Sequence, residues 1–185
     1  DLEVVQIGRG QSFTAWEHGY PFHTVRWHFH PELEIHYVVA TTGHYYIGDF
    51  IGEFAPGNLV LTGPNLPHNW ISHLGPDGSV PLRSRVVQFP EDLLLRIAEL
   101  FPDTRDFSTL FSLSRRGALF SDACSQLCAP LLSDLMQAKG PQRASLFLQI
   151  LANLAADVDV QTLASDTYLP DPSGFMTAGV NKALD

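Results

Sequence analysis

The sequence predicts a mainly β fold with a helical C-terminal part: a jelly-roll β-barrel over residues 1–90, followed by helices. Three observations predict it. Before Pro90 the chain is rich in Val, Ile, Tyr, Trp and Phe, broken at short intervals by Gly, Pro and Asn, the texture of many short antiparallel strands. After Pro90 apolar residues recur at helical spacing instead. Within the β-rich part, His28, His30, Glu34 and His68 stand at positions that strand alternation can turn toward one interior site.

Strands are expected near 3–8, 12–17, 22–29, 33–40, 44–48, 58–62, 68–73 and 83–89. Turn signals separate them at Gly43, Gly48-Asp49, Pro56-Gly57, Gly63-Pro64-Asn65 and Gly75-Pro76-Asp77-Gly78. This many strands without an intervening helix need a sandwich or barrel, and a jelly roll suits the length. In the second part, Leu93, Leu94, Ile97, Leu100 and Phe101 form a helical run that Pro102 stops. Ser121 is placed to cap a helix bearing Cys124, Leu127, Cys128, Leu131, Leu132 and Leu135, which Pro130 should kink. The two cysteines, four apart on one face, read as small core residues. Gly140-Pro141 opens a further helix with Leu146, Phe147, Ile150, Leu151 and Leu154 on one stripe.

The expected organisation is a barrel over 1–90 and a helical packing and dimerisation segment over 91–156. Residues 157–185 read as a polar linker and the start of a helix capped by Ser173. The first helix is expected to pack on the barrel and the 141–156 helix to form a homodimer.

The formal net charge of −9 excludes strong binding to phosphate backbones by these residues alone. No basic run or zinc-finger spacing offsets it. No stretch approaches the roughly 20 apolar residues that span a bilayer, so no membrane partner is expected. A basic-then-apolar leader is absent from the first residues and the two cysteines suggest no disulfide framework, which leads to an expectation of a cytoplasmic protein. The chain opens without Met, so its native termini are expected to lie further out.

The informative stretch is WHFHPELEIHYVVATTG, residues 27–43. His28 and His30 share one strand face, and Glu34, His36 and Val38 share one face of the next. Trp27 and Phe29 point the other way, as do Leu33, Ile35 and Tyr37. A wet sheet face would also alternate, but it would draw Lys, Thr, Glu and Ser rather than imidazoles. His68 follows the turn GPNLPHNW and opens a strand running back across the same barrel. His28, His30, Glu34 and His68 therefore form a candidate three-His, one-carboxylate metal set. It suits a divalent transition metal, Zn among them, with Ni, Fe, Mn and Cu open.

These residues resemble the two cupin motifs, G-x5-H-x-H-x3,4-E-x6-G and G-x5-P-x-G-x2-H-x3-N. His28, His30, Glu34 and His68 match the ligand positions, while Thr41 stands for the last Gly of the first motif. In the second, Gly57 matches, Gly63 replaces the Pro, Asn65 the second Gly and Ser72 the final Asn. With the helices included, the H-x-H-P-E-x-E pattern, the PG-x-LVL-x-GPN-x-PH turn and LSRRGALFS at 113–121 resemble the effector-binding half of AraC/XylS-type transcription regulators. The terminal VNKALD is similar to the start of the helix leading into that family's DNA-binding half. The resemblance implies a cupin-type jelly-roll barrel and a small-molecule effector, a sugar among the candidates. It also implies DNA contact only through a C-terminal domain outside this chain.

Arg26, at the parity of His28, could anchor a carboxylate or hydroxyls, and Trp70, at the parity of His68, could stack on a sugar ring. His36 and Tyr46 are further candidates for lining the cavity, whereas His18, His23, His44 and His73 read as ordinary surface or strand residues. The leading reading is a non-enzymatic sensor. A metal-dependent cupin enzyme (dioxygenase, isomerase or decarboxylase) and a plain sugar-binding or storage module are the alternatives.

Overall fold

In the computed structural model, residues 1–22, 27–75 and 78–168 are described. Arg26, His23, the middle of the 75–78 turn and the expected Ser173-capped helix lie outside the described residues. Seven strands come first: β1 (Thr14–Tyr20), β2 (Leu33–Val38), β3 (Gly43–Ile47), β4 (Phe50–Phe54), β5 (Leu59–Thr62), β6 (His68–Ser72) and β7 (Val80–Phe89). They are followed by α1 (Leu93–Leu100), a 3-10 turn (Pro102–Thr104), α2 (Phe107–Ser114), β8 (Ala118–Leu119), α3 (Asp122–Leu135), α4 (Gly140–Ala156) and β9 (Gln161–Thr162).

The strands form a six-stranded sheet, β1-β7-β2-β5-β8-β9, and a three-stranded sheet, β4-β3-β6. All pairings within them are antiparallel. Alternation along β2 explains the layering. Leu33 and Ile35 join Leu59, Leu61, Val87 and Phe89 in a core shared with helical Leu110, Leu132, Ile150 and Leu151. The opposite parity, Val38 and Val60, joins Tyr45, Ile47, Phe54, Leu66 and Trp70 in a second core between the two sheets. Helices, large sheet and small sheet thus stack as three layers.

The sheets do not close into a barrel among the described residues. The expected strand at 3–8 does not form; Leu2 just ahead of it makes one isolated bridge with Phe29, and in the expected strand at 22–29 His28 makes one more with His68. Rim strands that pair at single residues cannot continue a ladder around the mouth.

Several elements differ from the sequence expectation for physical reasons. The strand β4 has a weak pattern of its own because Gly52 and Glu53 interrupt it; it forms as the hairpin mate of β3 across Gly48-Asp49, with Gly48 at the positive φ of 58° that such tight turns use. Helix α2, with the sequence FSTLFSLS, is held by burial of Phe107 and Leu110 rather than by propensity. The two-residue strands β8 and β9 extend the sheet edge beyond β5, too short for any local signal. Helix α3 runs through Pro130 as one element and is capped by Ser121, whose Oγ accepts from the Cys124 N–H. The α4 stripe is a correction: Leu146, Phe147, Ile150, Leu151 and Leu154 are buried within this chain. Each such side chain gains about 1.5–3 kcal/mol on burial, so the stripe serves the fold rather than a dimer seam. No described helix is long and apolar enough to cross a membrane.

Candidate functional site

Four polar side chains meet at the end of the inter-sheet space. His28 and His30 precede β2, Glu34 is its second residue, and His68 opens β6. Reciprocal backbone bonds between His28 and His68 (2.9 and 3.3 Å) set these two segments side by side. The turn ahead of β6 is tied to the His segment by the Asn65 N–H donating to the His30 carbonyl at 2.8 Å. One donor atom from each of His28, His30, Glu34 and His68 lies within 4.8 Å of all the others. The last three are buried and His28 is partly so.

Hydrogen bonding points the imidazoles inward. A carbonyl accepts only, so His68 Nδ1 carries the hydrogen it donates to Leu66 O at 2.7 Å. That leaves Nε2 as a lone pair; it is buried, without a hydrogen-bond partner, and 3.7 Å from Glu34 Oε1, beyond bonding reach. His30 repeats the pattern, with Nδ1 donating to Glu32 O at 3.1 Å and Nε2 facing Glu34 Oε2 at 3.1 Å. A neutral imidazole would oppose two lone pairs across that gap, so the site demands either a proton or a cation there. Burial works against ionisation of Glu34, but the His30 and His68 imidazoles outweigh it and hold its carboxyl well below the usual range. Burial likewise disfavours charged His30, and Glu34 reverses this and raises it. Lone pairs and a carboxylate converging on a small space fit a divalent cation, and the polar atom left without a partner on His68 is what such an ion would satisfy.

Two residues outside the expected set complete this end. Gln88 stands opposite Glu34 in the β2–β7 register; its Nε2 donates to Glu34 Oε2 at 2.9 Å and to Glu3 Oε2 at 3.3 Å, and its Oε1 accepts from Trp16 Nε1 at 3.2 Å. Glu3 Oε2 lies 3.6 Å from His28 Nε2 and 3.8 Å from His30 Nε2. Burial and then the Glu34 charge push its carboxyl upward. The signal for Gln88 was a lone amide in the apolar run VVQF. Glu3 carried none, since its approach depends on the bridge at Leu2.

A cavity of about 40 Å³ adjoins the cluster, room for roughly three waters. Its lining includes His28, Glu34, His36, Trp70, Arg83 and Asn69. The His36 ring lies 3.7 Å from that of Trp70, and burial drives its pKa well below the ordinary value. Of the other expected residues, Tyr46 does not line this cavity. Its neighbour Tyr45 is the one buried between the sheets, stacked near Trp70, and strand alternation turns Tyr46 outward. Arg26 lies outside the described residues. Arg83 takes the cationic place in the cavity, and His18 lines it as well. His44 and His73 form an exposed pair, Nδ1 to Nε2 at 2.7 Å. Cys124 and Cys128 are buried and free.

The sequence profile of the family described as the AraC-like ligand binding domain matches residues 10–171. This chain belongs to that family. The AraC-like domain also shares its fold with solved structures. The crystal structure of the AraC-like transcriptional activator CuxR aligns at a TM-score of 0.50 and 12% identity, over 91% of this chain and 58% of that one. An apo form of ToxT from Vibrio cholerae strain SCE256 aligns at 0.50 and 10% identity, over 94% of this chain and 65% of that one. The AraC-like domain thus spans less than two thirds of either neighbour. No curated protein sequence matches it.

Proposed function

We propose that this chain is the effector-sensing domain of a transcription regulator, with a divalent transition metal held by His28, His30, Glu34 and His68 beside a small polar ligand. The observation that carries this reading is the convergence of those four donor atoms within 4.8 Å of one another, at one end of a cavity in a chain of the AraC-like ligand-binding family. When bound, such a metal supplies open Lewis-acid positions to a ligand oxygen, and Zn, Ni, Fe and Mn are all compatible with the donors. Gln88 orients the Glu34 carboxylate, while His36 and Trp70 form the adjoining wall. The open two-sheet arrangement is read as a cupin-type jelly roll with its mouth unpaired.

DNA contact is assigned to a part of the protein outside this chain, because a net charge of −9 opposes phosphate. A homodimer through α4 would have to use its outward residues, such as Gln149 and Ala152, since the apolar stripe is buried.

Elemental analysis of protein purified without an affinity tag tests the metal; about one transition-metal ion per chain is expected. The absence of any bound transition metal, together with a melting temperature indifferent to chelators, would sink it. The regulatory part is tested by the DNA affinity of the full-length protein with and without ligand, where no response defeats the sensor reading. The same donor set also permits a metal-dependent enzyme, and turnover that vanishes in His28→Ala would favour that second reading.

A further inference from the structure

We infer that the cavity takes a small monocarboxylate, its charged end on Arg83 and its short carbon end against Trp16, Phe22 and Trp70. This rests on reading the cavity as the ligand site. Arg83 lies in β7 and is 3% exposed. Its Nε donates to Ser84 Oγ at 3.0 Å and its Nη1 to Trp70 O at 2.8 Å. The guanidinium lies over the Tyr20 ring, 5.1 Å from its centroid. Among the described residues Nη2 makes no hydrogen bond and no carboxylate comes within ion-pairing distance of Arg83. Buried charges are ordinarily paired, because desolvation is costly. Burial lowers the Arg83 pKa to about 10, which leaves it cationic at neutral pH. Among the described residues Arg83 therefore holds a buried positive charge at the cavity wall with no carboxylate in ion-pairing distance; Glu3 and Glu34 of the same cavity are engaged by Gln88 and His30 instead.

Two further polar atoms point to the same ligand. His36 Nδ1 and Asn69 Oδ1 are buried without hydrogen-bond partners, and both residues line the cavity with Arg83. A ligand hydroxyl would satisfy both, donating to Asn69 Oδ1 and accepting from a protonated His36 Nδ1. Trp16, Phe22, Trp70 and Val86 form the apolar and aromatic part of the wall, and Glu3, His18, His28 and Glu34 complete it.

Charge and size select among anions. A guanidinium edge matches the two oxygens of a carboxylate. A phosphate dianion would bring a second negative charge into a cavity that already contains Glu3 and Glu34. A space of about 40 Å³, equivalent to roughly three waters, fits an acid of about two to four carbons rather than a sugar ring.

The test compares acids with their own primary amides on the unaltered protein, which removes any question of a variant failing to fold. Glycolate, lactate and pyruvate are titrated calorimetrically beside glycolamide, lactamide and pyruvamide, with inorganic phosphate and ribose as further probes. At least one acid should bind ten-fold or more tighter than its amide, and tighter than phosphate or ribose. Arg83→Gln, checked for fold by circular dichroism, should abolish that preference, and Arg83→Lys should retain part of it. An amide that binds as well as its acid, a stronger response to phosphate or ribose, or no binding by any of the acids overturns the inference. Charge-selective binding that leaves the DNA affinity of the full-length protein unchanged would defeat the sensor reading alone. A DNA response driven by an uncharged ligand in this cavity would do the reverse.

Discussion

Replacing Gln88 with Leu keeps much of the side-chain volume and removes three hydrogen bonds at once: to Glu34 Oε2 (2.9 Å), to Glu3 Oε2 (3.3 Å) and from Trp16 Nε1 (3.2 Å). Each intramolecular bond contributes about 0.5–1.5 kcal/mol net, so Gln88→Leu should lower stability by about 2–4 kcal/mol. The more specific consequence is on metal binding. Glu34 keeps its contacts with His30 and His68 but loses the amide that orients its carboxylate. Removing such an orienting partner weakens metal affinity by about 10–100-fold, equivalent to about 1.4–2.8 kcal/mol. Competition titration of Zn(II) against a chromophoric chelator measures the affinity, and thermal melts with and without Zn(II) measure its linkage to folding. Wild-type protein should gain more in melting temperature from the metal than the variant does. A well-folded Gln88→Leu that holds Zn(II) within two-fold of wild type would show that Gln88 does not position Glu34, and that the register of β2 against β7 does not shape the site.

Other expectations follow from single residues. Thr41 sits at a φ of 76°, which costs an L-residue about 1–2 kcal/mol, while its Oγ1 bond to Ser72 Oγ returns about 1 kcal/mol; Thr41→Gly should therefore raise stability by up to about 1 kcal/mol in urea titrations, and Thr41→Val should lower it. Leu151→Ala should cost about 2–5 kcal/mol with no dependence on protein concentration, because Leu151 is buried in its own chain; a concentration-dependent loss would restore it to an interface. His18 is kept neutral mainly by burial, with Arg83 also lowering its pKa against the Gly19 carbonyl and Glu34, which raise it. Its folded pKa lies below the unfolded value of about 6.5, so the unfolded chain binds more protons and stability falls as pH drops below that value. His18→Phe should flatten this part of a melting-temperature profile, and an unchanged slope would count against the assignment. Tyr46→Phe should leave ligand binding untouched, as calorimetry can check, because Tyr46 does not line the cavity.

Much of the proposed metal set is legible in the amino-acid sequence. The strand LEIHYV separates Leu33 and Ile35 from Glu34 and His36 by alternation alone, and the structure puts those pairs on opposite faces of the large sheet. The two positions where non-glycine residues stand for motif glycines, Thr41 and Asn65, both adopt positive φ, 76° and 58°, so the turn geometry persists although the residue does not. The choice of Tyr46 over Tyr45 shows the limit. Alternation says that neighbours face opposite ways, but which way is inward depends on how β3 pairs between β4 and β6.

The division near Pro90, the acidic charge, the helical stripes and the grouping of His28, His30, Glu34 and His68 are all written in the linear chain. They rest on composition, local periodicity and one short hairpin's worth of spacing. Folding in three dimensions was needed to set Glu3 and Gln88 behind the cluster, to give Arg83 the cationic place in the cavity, and to turn the α4 stripe inward. Those placements come from contacts between residues far apart in the chain, such as Gln88 with Glu3 across 85 positions. No local pattern encodes a contact of that range; sheet register and helix docking create it.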